Sequence, residues 1–212
     1  MFKIGSVLRE IITRLSGVHR WQIFSNKKYN ENVVGHSLET AFLTIIMISL
    51  EEQNGRKKFD KFRVLASAVL HDLAEMVLTD IPWEIKNDPR IKKGLLSIEK
   101  ELFAKILRKF PEEVRLSISS AHNLQYDKRS FESKLFSAVE NLGYICYAWE
   151  EYERGNESFI KVFKNQHLPI MKLVPEVKSL AILYRPYLKE ILPLLELTEE
   201  EKQEAKNYLK EG

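Results

Sequence analysis

The 212-residue sequence holds one cysteine, eight glycines and seven prolines, and strand-like alternation is nearly absent. A single thiol, Cys146, excludes an intramolecular disulfide framework and fits a reducing compartment. Its place in the middle of an apolar helical stretch reads as a buried small hydrophobe rather than a nucleophile. With so few glycines and prolines, breaks are rare and long helical periodicity fills the intervals, so the expected fold is all-α. A dominant charge is missing too: 33 Lys and Arg against 30 Asp and Glu leave a net charge of +3. No basic stripe calls for nucleic acid, whereas a mildly basic surface suits a small anionic substrate. Met1 to Ser6 lacks the apolar core and cleavage site of a secretory signal. The longest apolar run, Ala41 to Leu50, is too short to span a bilayer. Together these absences lead us to expect a cytoplasmic protein without a nucleic-acid or membrane partner. Hydrophobic residues at 44% and charged residues at 30% are globular values, and the length suits one domain with a substantial core.

What is present gathers in His71-Asp72-Leu73-Ala74-Glu75-Met76-Val77-Leu78-Thr79-Asp80-Ile81-Pro82. These groups end the apolar run Phe62 to Leu70, which reads as a buried helix. If that helix continues, Glu75 lies one turn beyond His71 and Asp72 and shares their face. Charges in such a place are costly unless paired or bound to metal. A His-Asp pair alone reads as a core histidine beside a surface aspartate. Here His36 opens a second apolar helix, and Glu140 sits inside a third. His36, His71, Asp72 and Glu140 make a plausible four-ligand set for one divalent metal.

Four blocks then carry a resemblance: Arg20-Trp21; Glu31-Asn32-Val33 with His36-Ser37; His71-Asp72 with Glu75 and Asp80-Ile81-Pro82; and Glu140 to Glu151. The chain resembles the HD superfamily of metal-dependent phosphohydrolases, and within it the 5'-deoxynucleotidases, over about residues 14 to 155. The resemblance implies an HD-domain helical bundle, with the helices of 156–212 packed on it. It implies metal ligation by His36, His71, Asp72 and Glu140, a general base or acid in Glu75, and orientation of the attacking water or of the local arginine by Asp80. It also implies phosphate binding by Arg20, whose planar fork donates two hydrogen bonds at once, and a check on the sugar's 2' position by Trp21. On position alone, Arg20 reads equally as a solvated charge and Trp21 as core packing. Related enzymes place an aspartate where Glu140 stands, within Ala-Asp-X-Leu, so this carboxylate is one methylene longer. The implied substrate is a 2'-deoxynucleoside 5'-monophosphate, the cofactor Mn, Co, Fe, Ni or Zn, and the assembly a homodimer. Two rivals stay open. One is an HD hydrolase of another phosphoester, such as a nucleoside triphosphate or signalling nucleotide, which extra basic residues around the pocket would favour. The other is an inactive metal- or nucleotide-binding module.

Along the chain, a first helix is expected over Ser6–Leu15 with Val7, Leu8, Ile11, Ile12 and Leu15 on its buried face. A second spans Asn32–Gln53, closed by Asn54-Gly55, and Asp60 caps the third. Trp83 to Lys93 is read as irregular and as a possible lid. Leu95–Phe110 follows, then a helix begun by Pro111 that reaches His122, for which no ligand role is seen. Ser130 caps a long helix from Phe131 to about Arg154, with Leu135, Phe136, Val139, Leu142, Ile145 and Trp149 inward. Two or three helices follow, the last opened by a Thr198-x-x-Glu201 capping box. Leu180 to Leu195 is apolar enough for the core or a dimer interface.

Overall fold

Helix-forming periodicity without strand signals gives eleven α-helices and no strand among the described residues, 4–210, of the computed structural model. Met1 to Lys3 of the N-terminal segment, and residues 211 and 212, lie outside them. The helices are α1 Ile4–Ser16, α2 Val33–Gln53, α3 Lys61–Leu70, α4 Glu75–Leu78, α5 Trp83–Lys86, α6 Pro89–Leu107, α7 Glu112–His122, α8 Phe131–Glu153, α9 Ile160–Leu173, α10 Lys178–Ile191 and α11 Glu199–Lys210.

Local chemistry sets most boundaries. The Asn32, Asp60 and Ser130 side chains each accept a hydrogen bond from a first-turn amide, of Gly35, Arg63 and Ser133. Gly55 and Gly155 follow α2 and α8 at φ 89°, which only glycine adopts without cost. Thr198 and Glu201 form the reciprocal capping box ahead of α11. Pro169 and Pro186 lie inside α9 and α10.

Two apolar clusters frame the site. The larger joins α8, α9 and α10 to α2 and α3, with Leu135, Leu142, Ile145, Phe163, Leu180, Tyr184 and Leu188 at its centre. Leu180 to Leu195 therefore packs mainly inward. The smaller gathers Leu15, Val18, Val33, Leu73, Met76, Phe103 and Leu107. α2 bridges them, giving Val33 to one and Met47 to the other. It is the one described helix long and apolar enough to cross a bilayer, yet His36, Thr40, Thr44, Met47 and Glu51 are buried against its neighbours.

Three expectations are corrected. α1 buries Leu15 and half-buries Val7 and Ile11, while Leu8 and Ile12 are exposed. Its contact is a narrow i, i+4, i+8 edge rather than a broad face. Trp83 to Lys93 is ordered as α5 and the start of α6, because the Asp88 side chain caps Arg90 N and Pro89 takes the first helical position. The His71 helix stops at Leu70, and residues 71–74 form tight turns in which Leu73 N donates to Leu70 O and Glu75 N to Asp72 O. Glu75 therefore begins its own short helix instead of sharing the face of α3.

Candidate metal centre

Three separate segments deliver the cluster. Asn32 caps α2 and so sets His36 one turn inside it. His71 follows α3, its amide still donating to Ser67 O. Glu140 lies on α8. His36 and His71 are buried, and their Nε2 atoms are 3.2 Å apart. Asp72 Oδ2 is 3.1 Å from His71 Nε2 and 3.6 Å from His36 Nε2. Glu140 Oε1 is 3.4 and 3.7 Å from the same nitrogens. Metal–ligand bonds of about 2.0–2.2 Å put neighbouring donors about 3–3.5 Å apart, close to these separations.

The hydrogen bonds orient both rings. His71 Nδ1 lies 3.0 Å from Ala68 O, which can only accept, so Nδ1 carries the proton. Thr40 Oγ1 donates to His36 O at 2.8 Å, leaving Thr40 and Glu31 as acceptors facing His36 Nδ1. Both Nε2 atoms therefore face the cluster, and each can offer a lone pair to a cation once any proton it carries has left. Glu140 Oε1 is buried there without a hydrogen bond, while its Oε2 accepts from the Tyr144 hydroxyl at 3.4 Å. An orphaned carboxylate oxygen facing two imidazole Nε2 atoms is a donor set that fits a divalent cation, which would replace any proton held there.

The electrostatics agree. Burial opposes charge on His71, but Asp72 and Glu140 outweigh it and raise its pKa to about 9. Asp72 is itself held well below its usual range: burial works against this, and His71 prevails. His36, disfavoured as a cation by burial and by Arg20, has a lowered pKa. The cluster thus attracts positive charge at its centre.

Glu75 stands beside it, buried, with Oε1 accepting from Lys86 Nζ at 2.7 Å and Oε2 without a partner. Burial, then Asp72, raise its pKa to about 8 against the pull of Lys86. Two cavities meet here, sharing Trp83, Lys86, Tyr144 and Gln166. One of about 400 Å³ exposes His71, Asp72, Glu75 and Glu140. The other, about 100 Å³, is walled by Arg20, Trp21, Phe24, Asp80 and Pro82.

Arg20 is buried, its Nη1 3.3 Å from Glu31 Oε2. The Trp21 ring stacks on Tyr147 at 4.9 Å, and its Nε1 donates to Glu31 Oε2 at 2.7 Å. Trp21 takes φ 62°, an uncommon value for a bulky residue. Asp80 Oδ2 accepts from Trp21 N at 3.1 Å and so holds that backbone. Thr79, just before it, is also strained, at φ 63°.

The expected site residues thus fall into one neighbourhood, with His36, His71, Asp72 and Glu140 converging and Asp80 tied to Trp21. Glu31 and Lys86 had not been singled out. Glu31 stood inside a matching block, whereas Lys86 looked like one charge among many. His122, given no ligand role, stacks on Phe103 at 3.5 Å and lines the larger cavity. Burial holds its pKa near 4.

Comparison with known proteins gives the following. The model of a family described as "5'-deoxynucleotidase YfbR-like" matches residues 8–191. A "5'-deoxynucleotidase" of Yersinia pestis (strain Pestoides F) is 26% identical over 151 residues, 71% of this chain and 76% of that protein. An HD-domain phosphohydrolase of Listeria innocua shares the fold with TM-score 0.72 and 16% identity, covering 98% of this chain and 96% of that one. The cyanophage S-2L HD phosphohydrolase DatZ, bound to dA and one catalytic Zn2+, does so with TM-score 0.58 and 18% identity, covering 91% and 98%.

Proposed function

We propose that this chain, which belongs to the YfbR-like 5'-deoxynucleotidase family, hydrolyses 2'-deoxynucleoside 5'-monophosphates to deoxynucleoside and phosphate, with His36, His71, Asp72 and Glu140 holding a divalent metal. The observation that carries the reading is the convergence of His36, His71 and Asp72 on one point, with the buried Glu140 Oε1 beside both imidazole nitrogens. Two nitrogens among the donors favour Mn, Co, Fe, Ni or Zn over Mg, which prefers oxygen alone. When bound, such an ion supplies Lewis acidity to the phosphoryl group and lowers the pKa of water.

The remaining work falls to the chain. Glu75, with a pKa raised to about 8, is mostly in its acid form near neutrality and so is poised to give its proton to the departing 5' oxygen and to recover one from water afterwards. Lys86, which lines both cavities, offers a cation to the phosphate beside the cluster, and Arg20 offers a second from the smaller cavity. Trp21, clamped by Tyr147 and Glu31, presents a fixed wall to the sugar, where a ribose 2'-hydroxyl would clash. Asp80 keeps that wall in place through the Trp21 amide.

Phosphate release from deoxy- and ribonucleoside 5'-monophosphates tests this, with metal-stripped protein resupplied with Mn, Co, Mg or Zn and Glu75→Ala run alongside. Metal-dependent release from the deoxy substrates, abolished in the variant, is expected. No release with any metal, from protein shown to be folded, would sink the reading. One observation favours a second reading: Lys92 and Lys128 join Lys86 around the larger cavity, as a longer phosphate chain would require. Nucleoside triphosphates in the same assay separate the two. The reading also takes the enzyme as a cytoplasmic homodimer, with the exposed Leu38, Phe42, Ile45 and Ile46 of α2 available to a second copy. Light scattering that gives a monomer mass would remove that part.

A further inference from the structure

One buried carboxylate touches three groups to which the proposed reaction gives different tasks. Glu31 is 2% exposed. Its Oε2 accepts from Trp21 Nε1 at 2.7 Å and from Arg20 Nη1 at 3.3 Å, and its Oε1 lies 3.5 Å from His36 Nδ1. The backbone fixes it there: Arg20 N donates to Glu31 O at 2.9 Å, Val33 N donates to Val18 O at 3.0 Å, and His19 and Asn32 form an antiparallel bridge.

We propose that Glu31 is a positioning residue that ties the seating of the metal ligand His36 to that of Trp21 and Arg20, so that metal affinity and sugar discrimination weaken together when it is changed. The half concerning the sugar rests on the deoxynucleotidase reading; the half concerning the metal does not.

Trp21 Nε1, the Arg20 guanidinium and His36 Nδ1 all present N–H groups, since the Thr40 hydroxyl proton is already committed to His36 O. Three donors converging on one side chain are satisfied by a carboxylate, which accepts at both oxygens. A glutamine offers one acceptor and one NH2 group. Whichever way it turns, an acceptor is lost at His36 or at the Trp21–Arg20 pair; Glu39, whose carboxyl group also hydrogen-bonds Glu31, can accept from the new NH2 group but does not replace that acceptor. A carboxylate behind a ligating histidine also fixes the tautomer and raises the basicity of the other nitrogen, and removing such a partner typically weakens metal binding about 10–100-fold.

The test is Glu31→Gln, first shown to be folded by circular dichroism. Metal affinity is measured by competition with a chromophoric chelator, the Co2+ environment by visible absorption, and sugar choice by the deoxy-to-ribo ratio of kcat/KM at saturating metal. We expect metal affinity to fall about 10–100-fold, the Co2+ spectrum to change, and the deoxy-to-ribo ratio to drop. A merely structural carboxylate would move none of these in a folded variant. Affinity within twofold of wild type overturns the proposal, as does weakened affinity with an unchanged sugar ratio. If wild type hydrolyses no nucleotide, the deoxynucleotidase reading fails separately and the metal measurement alone decides. Should Glu31→Gln not fold, Glu31→Asp, which keeps the charge but draws both oxygens back by one methylene, is read by the same three measurements, and the same outcomes support or overturn the proposal.

Discussion

Glu140 shows how one methylene is absorbed by its surroundings. Its longer side chain still brings Oε1 within 3.4 Å of His71 Nε2, and Tyr144 steadies the other oxygen. If Glu140 ligates, Glu140→Gln weakens metal binding by about 100-fold or more, since even partners behind a ligand cost 10–100-fold; chelator competition on the folded variant reads this, and unchanged affinity would remove Glu140 from the donor set. His71 gives a pH test. Its folded-state pKa of about 9 exceeds the ordinary 6.5. In the metal-free protein its stabilising contribution is therefore complete below about pH 6.5 and lost as pH rises through about 9. Metal binding has the opposite sign, because the ion displaces that proton. At pH 7.5, close to one proton should leave per metal bound, measurable by calorimetry in buffers of different ionisation enthalpy; none would show that His71 is not displaced. The four residues proposed as donors were legible because a histidine or carboxylate inside an apolar helix (His36, Glu140) or directly after one (His71, Asp72) stands out. Lys86 was not, since only the turn after Pro82 carries it back to Glu75, and no local pattern marks that reach.

Helices were legible where their ends carry caps. Asn32, Asp60, Ser130 and Thr198 stop or start helices within a residue of expectation because each satisfies a free amide from its own side chain. The break after Leu70 carries no proline, glycine or cap and was missed. It is stabilised from outside, as Gln125 Nε2 lies 3.5 Å from His71 O. The face of α8 was read well because its inward residues recur at helical spacing against α2, α9 and α10. Leu142 is essentially fully buried there, two residues from Glu140. Leu142→Ala should cost about 2–5 kcal/mol, seen as a lower denaturation midpoint at unchanged slope. A loss under about 1 kcal/mol would mean that the surrounding side chains collapse into the space.

At the scale of the molecule, the proposed metal site lies between the two apolar clusters and draws on α2, the turn after α3, and α8. His36 and His71 alone are 35 residues apart in sequence. An ion that binds the folded chain and not the unfolded one adds about 2.7 kcal/mol when present at 100 times its dissociation constant. Chelation should therefore lower the melting temperature by several degrees, and re-addition of metal should restore it. A melting temperature indifferent to chelator would argue that no ion is gripped by all three segments. The arrangement amounts to a removable cross-link among distant parts of the chain. It forms only once those parts have docked, and it is undone without breaking a covalent bond. Scarcity of the ion would then shorten the life of the polypeptide against proteases as well as slow its turnover.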